Sequence, residues 1–199
     1  MLSPNSVARS AMPAFLAALL VVSGCTIYTN KSQEGANHVD IKTPIGDLRV
    51  NDQPDMSEVG LAIYPGAKAA AKDSDSDKKS ANVNLSVPGF SMKVVAGEFQ
   101  SDDSNDKVLA FYNKELQRYG KIVECHGPWK GGEVHADTDK KDGLSKPVSC
   151  KDSNGAGDSV ELKVGTEGNQ HIVAVKPDGK GTRFALVYLR MHTANDSTI

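Results

Sequence analysis

The sequence predicts an α+β fold, a largely antiparallel sheet with one packed helix plus a short N-terminal β-hairpin. Short segments alternate apolar and polar residues between Pro- and Gly-containing turns, the mark of half-buried strands. A single stretch, Ser104 to Gly120, repeats its apolar residues at three- and four-residue steps, the mark of one amphipathic helix. Apolar residues make up 39% of 199, with 18 Gly and 9 Pro, which suffices for one core and many turns. The formal charge of -2, from 23 basic and 25 acidic residues, disfavours a polyanion ligand, so no nucleic-acid partner is expected.

Residues 1–24 carry one charge, Arg9, then an apolar run from Ala14 to Val22 that closes on Ser23 and Gly24 before Cys25. That run is far shorter than the roughly 20 residues of a membrane-spanning helix, so the segment reads as a cleaved secretion signal. Val22-Ser23-Gly24-Cys25 resembles the lipobox of bacterial lipoproteins. The resemblance implies that the Cys25 thiol is diacylated, that cleavage precedes it, and that the new amino terminus is acylated as well, with palmitate-type chains. Each buried methylene contributes about 0.8 kcal/mol, so two or three chains anchor the protein to the membrane without spanning it. Thr26 stands where some lipoproteins carry the Asp that retains them on the inner membrane, which favours the outer membrane, with the domain in the periplasm or at the cell surface.

Removing residues 1–24 takes away only Arg9 among the charged residues. Residues 25–37 are polar and aperiodic, as a flexible tether would be. Residues 38–60 then form an N-terminal hairpin and linker, with Val39, Ile41, Leu48 and Val50 on one face around Pro44-Ile45-Gly46. The α+β domain is expected over 61–192. Its strands are Asn82 to Val87 and Ser91 to Phe99 around Pro88-Gly89, Lys121 to Cys125, Val148 to Lys151, Ser159 to Val164, Gln170 to Lys176 and Thr182 to Arg190. Val83, Leu85 and Val87 share a face, as do Phe90, Met92, Val94 and Ala96. Phe184 to Leu189 is apolar on both faces, as in a central strand covered on each side. In the helix, Ser104 is the expected N-cap, Asp106 favours the first turn and Gly120 closes the end. Val108, Leu109, Phe111, Tyr112, Leu116 and Tyr119 form its core stripe. Residues 193–199 read as a disordered tail.

Three cysteines remain in the exported chain. With Cys25 committed to lipid, Cys125 and Cys150 are an even pair in an oxidising compartment and are expected to form a disulfide. Closing that loop stabilises the fold by roughly 3 kcal/mol.

Tyr64-Pro65-Gly66-Ala67, followed by Phe99-Gln100-Ser101-Asp102-Asp103, Val108-Leu109-Ala110-Phe111-Tyr112 and Leu116 to Gly120, resembles an uncharacterised class of bacterial envelope proteins and lipoproteins. In that class a YPGA turn precedes a helix of this pattern. The likeness covers roughly residues 61 to 125 and implies an envelope location without an assigned reaction.

No local constellation demands a cofactor or a metal. Asp73, Asp75 and Asp77 alternate like the start of a calcium loop, but Lys78 replaces the sixth-position Gly and Asn84 stands at the twelfth position instead of Glu. His126 and His135 lie near Cys125 and Cys150, yet a disulfide would consume both thiolates. His171 alternates with Val173 and Val175 and reads as a structural histidine. Gly155-Ala156-Gly157-Asp158 precedes a strand, so it is a turn rather than a dinucleotide fingerprint. The Gly-rich loop with Trp129 and Lys130 is a candidate contact loop for a glycan or an envelope protein.

The expected role is a non-enzymatic binding or structural accessory module. A hydrolase of cell-wall or glycan material, using Trp129 with Asp102 and Asp103, and a domain binding a lipid or small molecule are the alternatives. The anchor is directly testable: Cys25→Ser should abolish incorporation of a fatty-acid analogue and leave uncleaved precursor, and equal labelling of both forms would refute the lipobox reading.

Overall fold

A computed structural model describes residues 26–31, 37–70, 80–131, 143–150 and 156–194. Cys25, the Asp73 to Asp77 run and His135 lie outside the described residues, so the acylation and calcium-loop readings do too. The strands are β1 Thr26–Lys31, β2 Asn37–Thr43, β3 Gly46–Asn51, β4 Lys68–Ala69, β5 Ser80–Val87, β6 Phe90–Ser101, β7 Val123–Gly127, β8 Ser159–Thr166, β9 Asn169–Asp178 and β10 Gly181–Thr193. They form one antiparallel sheet in the order β1-β2-β3-β5-β6-β10-β9-β8-β7, with β4 pairing the far end of β6. Among the described residues there is one α-helix, α1 Asn105–Leu116, extended by a 3-10 turn at Gln117–Tyr119. The protein is thus mostly β, with an antiparallel sheet and a single helix.

Alternation of side chains decides what the helix covers. In β6, Val95, Gly97 and Phe99 share one face, and their cross-strand partners in β10 are Tyr188, Leu186 and Phe184. Leu186 and Phe184 pair in turn with Val173 and Val175 of β9, and Val173 with Leu162 of β8. This wall is apolar across four strands, and α1 lays Val108, Tyr112 and Leu116 on it, all fully buried. Phe184 is the hub: its ring stacks on Phe99 at 5.5 Å between centroids and meets Tyr112 at 5.5 Å. Gly97 leaves room for the Met56 thioether, whose atoms would stand 2.7 Å from a Cβ at this position. Through that gap the 3-10 turn Met56–Val59 packs against the sheet and buries Val59.

The hairpin expected over residues 38–50 forms as β2 and β3, with Ile41 opposite Leu48 and Val39 opposite Val50. It is not a separate piece, because β3 pairs with β5 and joins the main sheet. The expected flexible tether is also different in its first part. Thr26–Lys31 pairs with β2 as the edge strand, register Thr26 to Lys42, which its Thr-Ile-Tyr-Thr composition favours. β10 is central, between β6 and β9, as its two-sided apolar run required.

Four further details depart from the sequence expectations. Val83, Leu85 and Val87 do share a face with Met92 and Val94, but that face is turned away from α1. Behind the sheet, Leu189 and Met191 pack with Leu144, and Phe90, Met92 and Val94 pack partly against them. The strand expected at 148–151 is reduced to a bridge between Pro147 and Thr166 and one hydrogen bond from the Val148 N–H to the Gly165 carbonyl, 3.2 Å. Pro147 has no N–H with which to extend a ladder. Ser104 occupies the N-cap position without a side-chain cap bond, and Tyr119 is 36% exposed rather than core.

Tyr112 links helix to sheet twice, through its buried ring and through its hydroxyl, which accepts a 3.0 Å hydrogen bond from the Tyr64 N–H. Tyr112→Ala should therefore lower the unfolding free energy by about 4 kcal/mol in urea titrations. Tyr112→Phe, which removes only the hydroxyl, should cost about 1 kcal/mol. Equal stabilities for both variants would show that the stripe does not carry the core.

Candidate functional site

The helix covers only part of its side of the sheet, over β8, β9 and β10. Beyond it the same face continues across β3, β5, the first half of β6 and the end of β10, where the outward residues are polar. Two cross-strand rows result. Arg49, Asn84, Lys93 and Arg190 are register partners from β3 to β10, and Asp47, Ser86, Ser91 and His192 form the next row. Together they line a cleft of about 500 Å³, with Leu85 and Met92 also at its wall.

The charges in this trough are held differently. The Arg49 guanidinium pairs with Asp40 at 3.2 Å. Lys93 Nζ is 2.7 Å from Glu58, whose carboxylate also accepts from Asn82 Nδ2 at 3.0 Å. Glu58 is placed there by its 3-10 turn, which Asp55 caps by accepting the Ser57 N–H at 2.9 Å and which ends at Gly60 with φ +72. Arg190 is exposed and makes no ion pair with any described carboxylate. Its Nε donates to His192 Nε2 at 2.8 Å, which places the proton of that ring on Nδ1.

One register step further toward the helix lies an aromatic cluster. His171, 8% exposed, stacks against Tyr119 at 3.9 Å between centroids and lies 4.9 Å from the Tyr188 ring. The Tyr119 hydroxyl donates to the Gly60 carbonyl at 2.6 Å, and the Arg118 guanidinium donates to the same oxygen. Burial pushes the His171 imidazolium down to about 4, with the nearby Arg118 charge acting in the same direction and a hydrogen bond to the Val59 backbone opposing it. His171 is therefore the structural histidine that its strand context indicated, neutral at physiological pH.

The residues singled out in the sequence lie elsewhere. Cys125 and Cys150 are bonded, with Cα atoms 5.4 Å apart, so neither thiolate can ligate a metal. His126 instead pairs with Glu124 at 2.9 Å on the exposed edge strand. Trp129 is half-buried, and Lys176 Nζ stands 4.9 Å from its ring centroid. Lys176 points to the face away from α1, so the Trp129 and Lys130 loop is on the opposite side from the trough. Asp103 is engaged on the helix side, accepting from Lys107 Nζ at 2.6 Å and from the Tyr64 hydroxyl at 2.9 Å. Lys107 first, then Tyr64, hold its carboxyl below the usual carboxylate range. Asp102 is exposed.

The trough residues escaped the sequence reading because each is an ordinary polar position in an alternating strand. Residues from 47 to 192 meet only through sheet register. The one usable signal was that the polar half of β5, Asn82, Asn84 and Ser86, lacks charge and so reads poorly as a plain solvated face. Comparison of the chain with protein-family models, with curated proteins and with solved structures finds no match.

His171 sets a pH window. Its folded value lies below the unfolded value of about 6.5, so the folded state binds fewer protons, and stability is fully present above pH 6.5 and lost as pH falls toward 4. The loss across that window should be about 3 kcal/mol. Urea titrations at stepped pH should show this fall in the native protein, and His171→Phe should flatten it. A native protein with equal stability at both ends of the window would contradict the neutral stacked ring.

Proposed function

We propose that the protein is a membrane-anchored bacterial envelope lipoprotein whose β-rich domain is a non-enzymatic binding module, with the polar trough as its binding face. The observation that carries the reading is the cleft itself. Its volume suits a small molecule or a short piece of a larger glycan, and three cations from different strands line it with hydroxyl and amide donors. Arg190, free of any acidic partner among the described residues, is the group best placed to take an anionic substituent by a forked pair of hydrogen bonds. Ser86, Ser91 and Asn84 add uncharged donors and acceptors beside it.

The lipobox pattern supports the anchor, and the Cys125–Cys150 bridge fits an oxidising compartment outside the cytoplasm. The YPGA resemblance supports an envelope role. In this reading the Trp129 loop is packing for the rear face, since its indole already carries Lys176.

A carboxylated sugar such as glucuronate is a suitable probe. Titrated into the mature protein in detergent micelles, it should shift the amide resonances of Asn84, Ser86, Ser91, Arg190 and His192 together. The effect should weaken at high salt, as screened charge interactions do. Arg190→Gln should reduce the affinity about tenfold, in line with loss of one charged hydrogen-bonded contact. Identical shifts in the native protein and in the Arg190→Gln variant would refute the trough as the site.

A further inference from the structure

Four chain passages end on one rim of the sheet. Thr26 pairs with Lys42, so β1 begins at the end of β2 that leads into the β2–β3 turn. That turn, Pro44-Ile45, returns through Gly46, whose hydrogen stands where a Cβ would come within 2.5 Å of the Ser86 carbonyl and 2.6 Å of Val87. The β2–β3 turn therefore lies directly against Val87 and the β5–β6 turn at Pro88-Gly89. The end of β10 joins them, because Thr193 pairs with Phe90 and the Ala194 N–H donates to the Gly89 carbonyl at 2.7 Å.

This rim is unusually apolar for a set of turns. Among the described residues the large exposed apolar side chains are Ile45 at 73%, Ile63 at 43%, Val87 at 38% and Tyr119 at 36%. Tyr119 is occupied by its stack on His171. Ile63 precedes Tyr64, which bonds Asp103 just beyond the opposite end of β6. Ile45 and Val87, in contrast, lie on the rim where β1 begins, with Gly46 packed against Val87. Turns are normally polar because they face water, so Ile45 and Val87 make this rim a suitable surface for a non-aqueous neighbour.

We infer that this rim is a bilayer-contact surface, with Ile45 and Val87 entering the boundary between headgroups and acyl chains while the acylated Cys25 anchors beside them. The inference rests on acylation of Cys25. Its geometric part is that Thr26, the residue directly after Cys25 in the sequence, stands at this rim as the first residue of the edge strand. Such a short connection holds the domain against the membrane instead of lifting it away. The trough complements this placement. Its nearer row, Asp47 to His192, lies one residue in from the rim, and the row ending in Arg190 lies two residues deeper, within about 10 Å at strand spacing. Arg190, which pairs with no acid among the described residues, then stands about 10 Å from the rim, comparable to the charge-screening length at physiological salt.

The test uses the acylated full chain in vesicles of phosphatidylethanolamine and phosphatidylglycerol, in a Trp129→Phe background so that a single introduced indole reports depth. Ile45→Trp and, independently, Val87→Trp should be quenched several-fold more strongly by lipids brominated on their acyl chains than Ile63→Trp. The mass of the mature chain is read on the same samples. Equal, weak quenching of all three indoles in chains of acylated mass would overturn the docking and leave the anchor standing. Chains of unacylated mass would overturn the anchor, and the docking with it.

Discussion

The pairing of β6 with β10 is the constraint on which the rest depends. It runs antiparallel from Phe90 opposite Thr193 to Ser101 opposite Thr182, the length of both strands, and it joins the meander of β1, β2, β3 and β5 to the half built from β7, β8 and β9. Because side chains alternate strictly along paired strands, this one register fixes two surfaces at once. At the Ser101 end it stacks Phe99 beside Phe184 and gives α1 an apolar wall. At the Phe90 end the same face carries Lys93 beside Arg190 and Ser91 beside His192. A slip of β10 by one residue would send Phe184 and Leu186 to the rear and bring Leu189 and Met191 forward, breaking the core wall and the trough together.

The helix is short relative to the sheet, and this mismatch creates the site. α1 and the two 3-10 turns cover one end of the front face, while β3, β5 and the lower part of β6 extend beyond them. The uncovered part is polar because water reaches it. It is concave because the Met56–Val59 turn rises beside it and brings Glu58 to Lys93. Gly60 joins the two regions. Its carbonyl receives both Tyr119 and Arg118 from the helix end, which presses Tyr119 onto His171 and leaves no space for a side chain there, since a Cβ at Gly60 would lie 2.7 Å from the Tyr119 hydroxyl. Core, aromatic cluster and trough thus follow one another along a single sheet face.

On the rear of the sheet, covalent and ionic links among the described residues add to the apolar cluster of Leu144, Leu189 and Met191. The Cys125–Cys150 bridge ties the residues after Pro147 to the edge strand β7, and Val148 is buried beneath that connection. On the same face Glu161 and Lys163, both almost fully buried, pair at 3.0 Å. Two opposite charges taken from water together cost far less than either alone, and their spacing of two residues along β8 puts both on the covered face. The front face can then stay open, because stability is supplied from behind it and from the helix end.

The sequence by itself determined the helix, most of the strands, the central position of β10, the Cys125–Cys150 pair and the structural character of His171. Each of these follows from local periodicity, turn chemistry or cysteine parity, which act within a few residues or through composition. It did not reveal that Thr26–Lys31 is an edge strand, that Val83, Leu85 and Val87 face away from the helix, or that residues 148–150 stop short of a strand. Those outcomes depend on which neighbour a strand finds and on which face the helix occupies. The trough lay furthest from view. Arg49, Asn84, Lys93 and Arg190 become one surface only when four strands distant in sequence align in register, and a polar residue in an alternating strand looks the same whether it faces open water or a cleft. Tertiary structure decided that difference, because the length of the helix relative to the sheet determines which polar positions remain uncovered side by side.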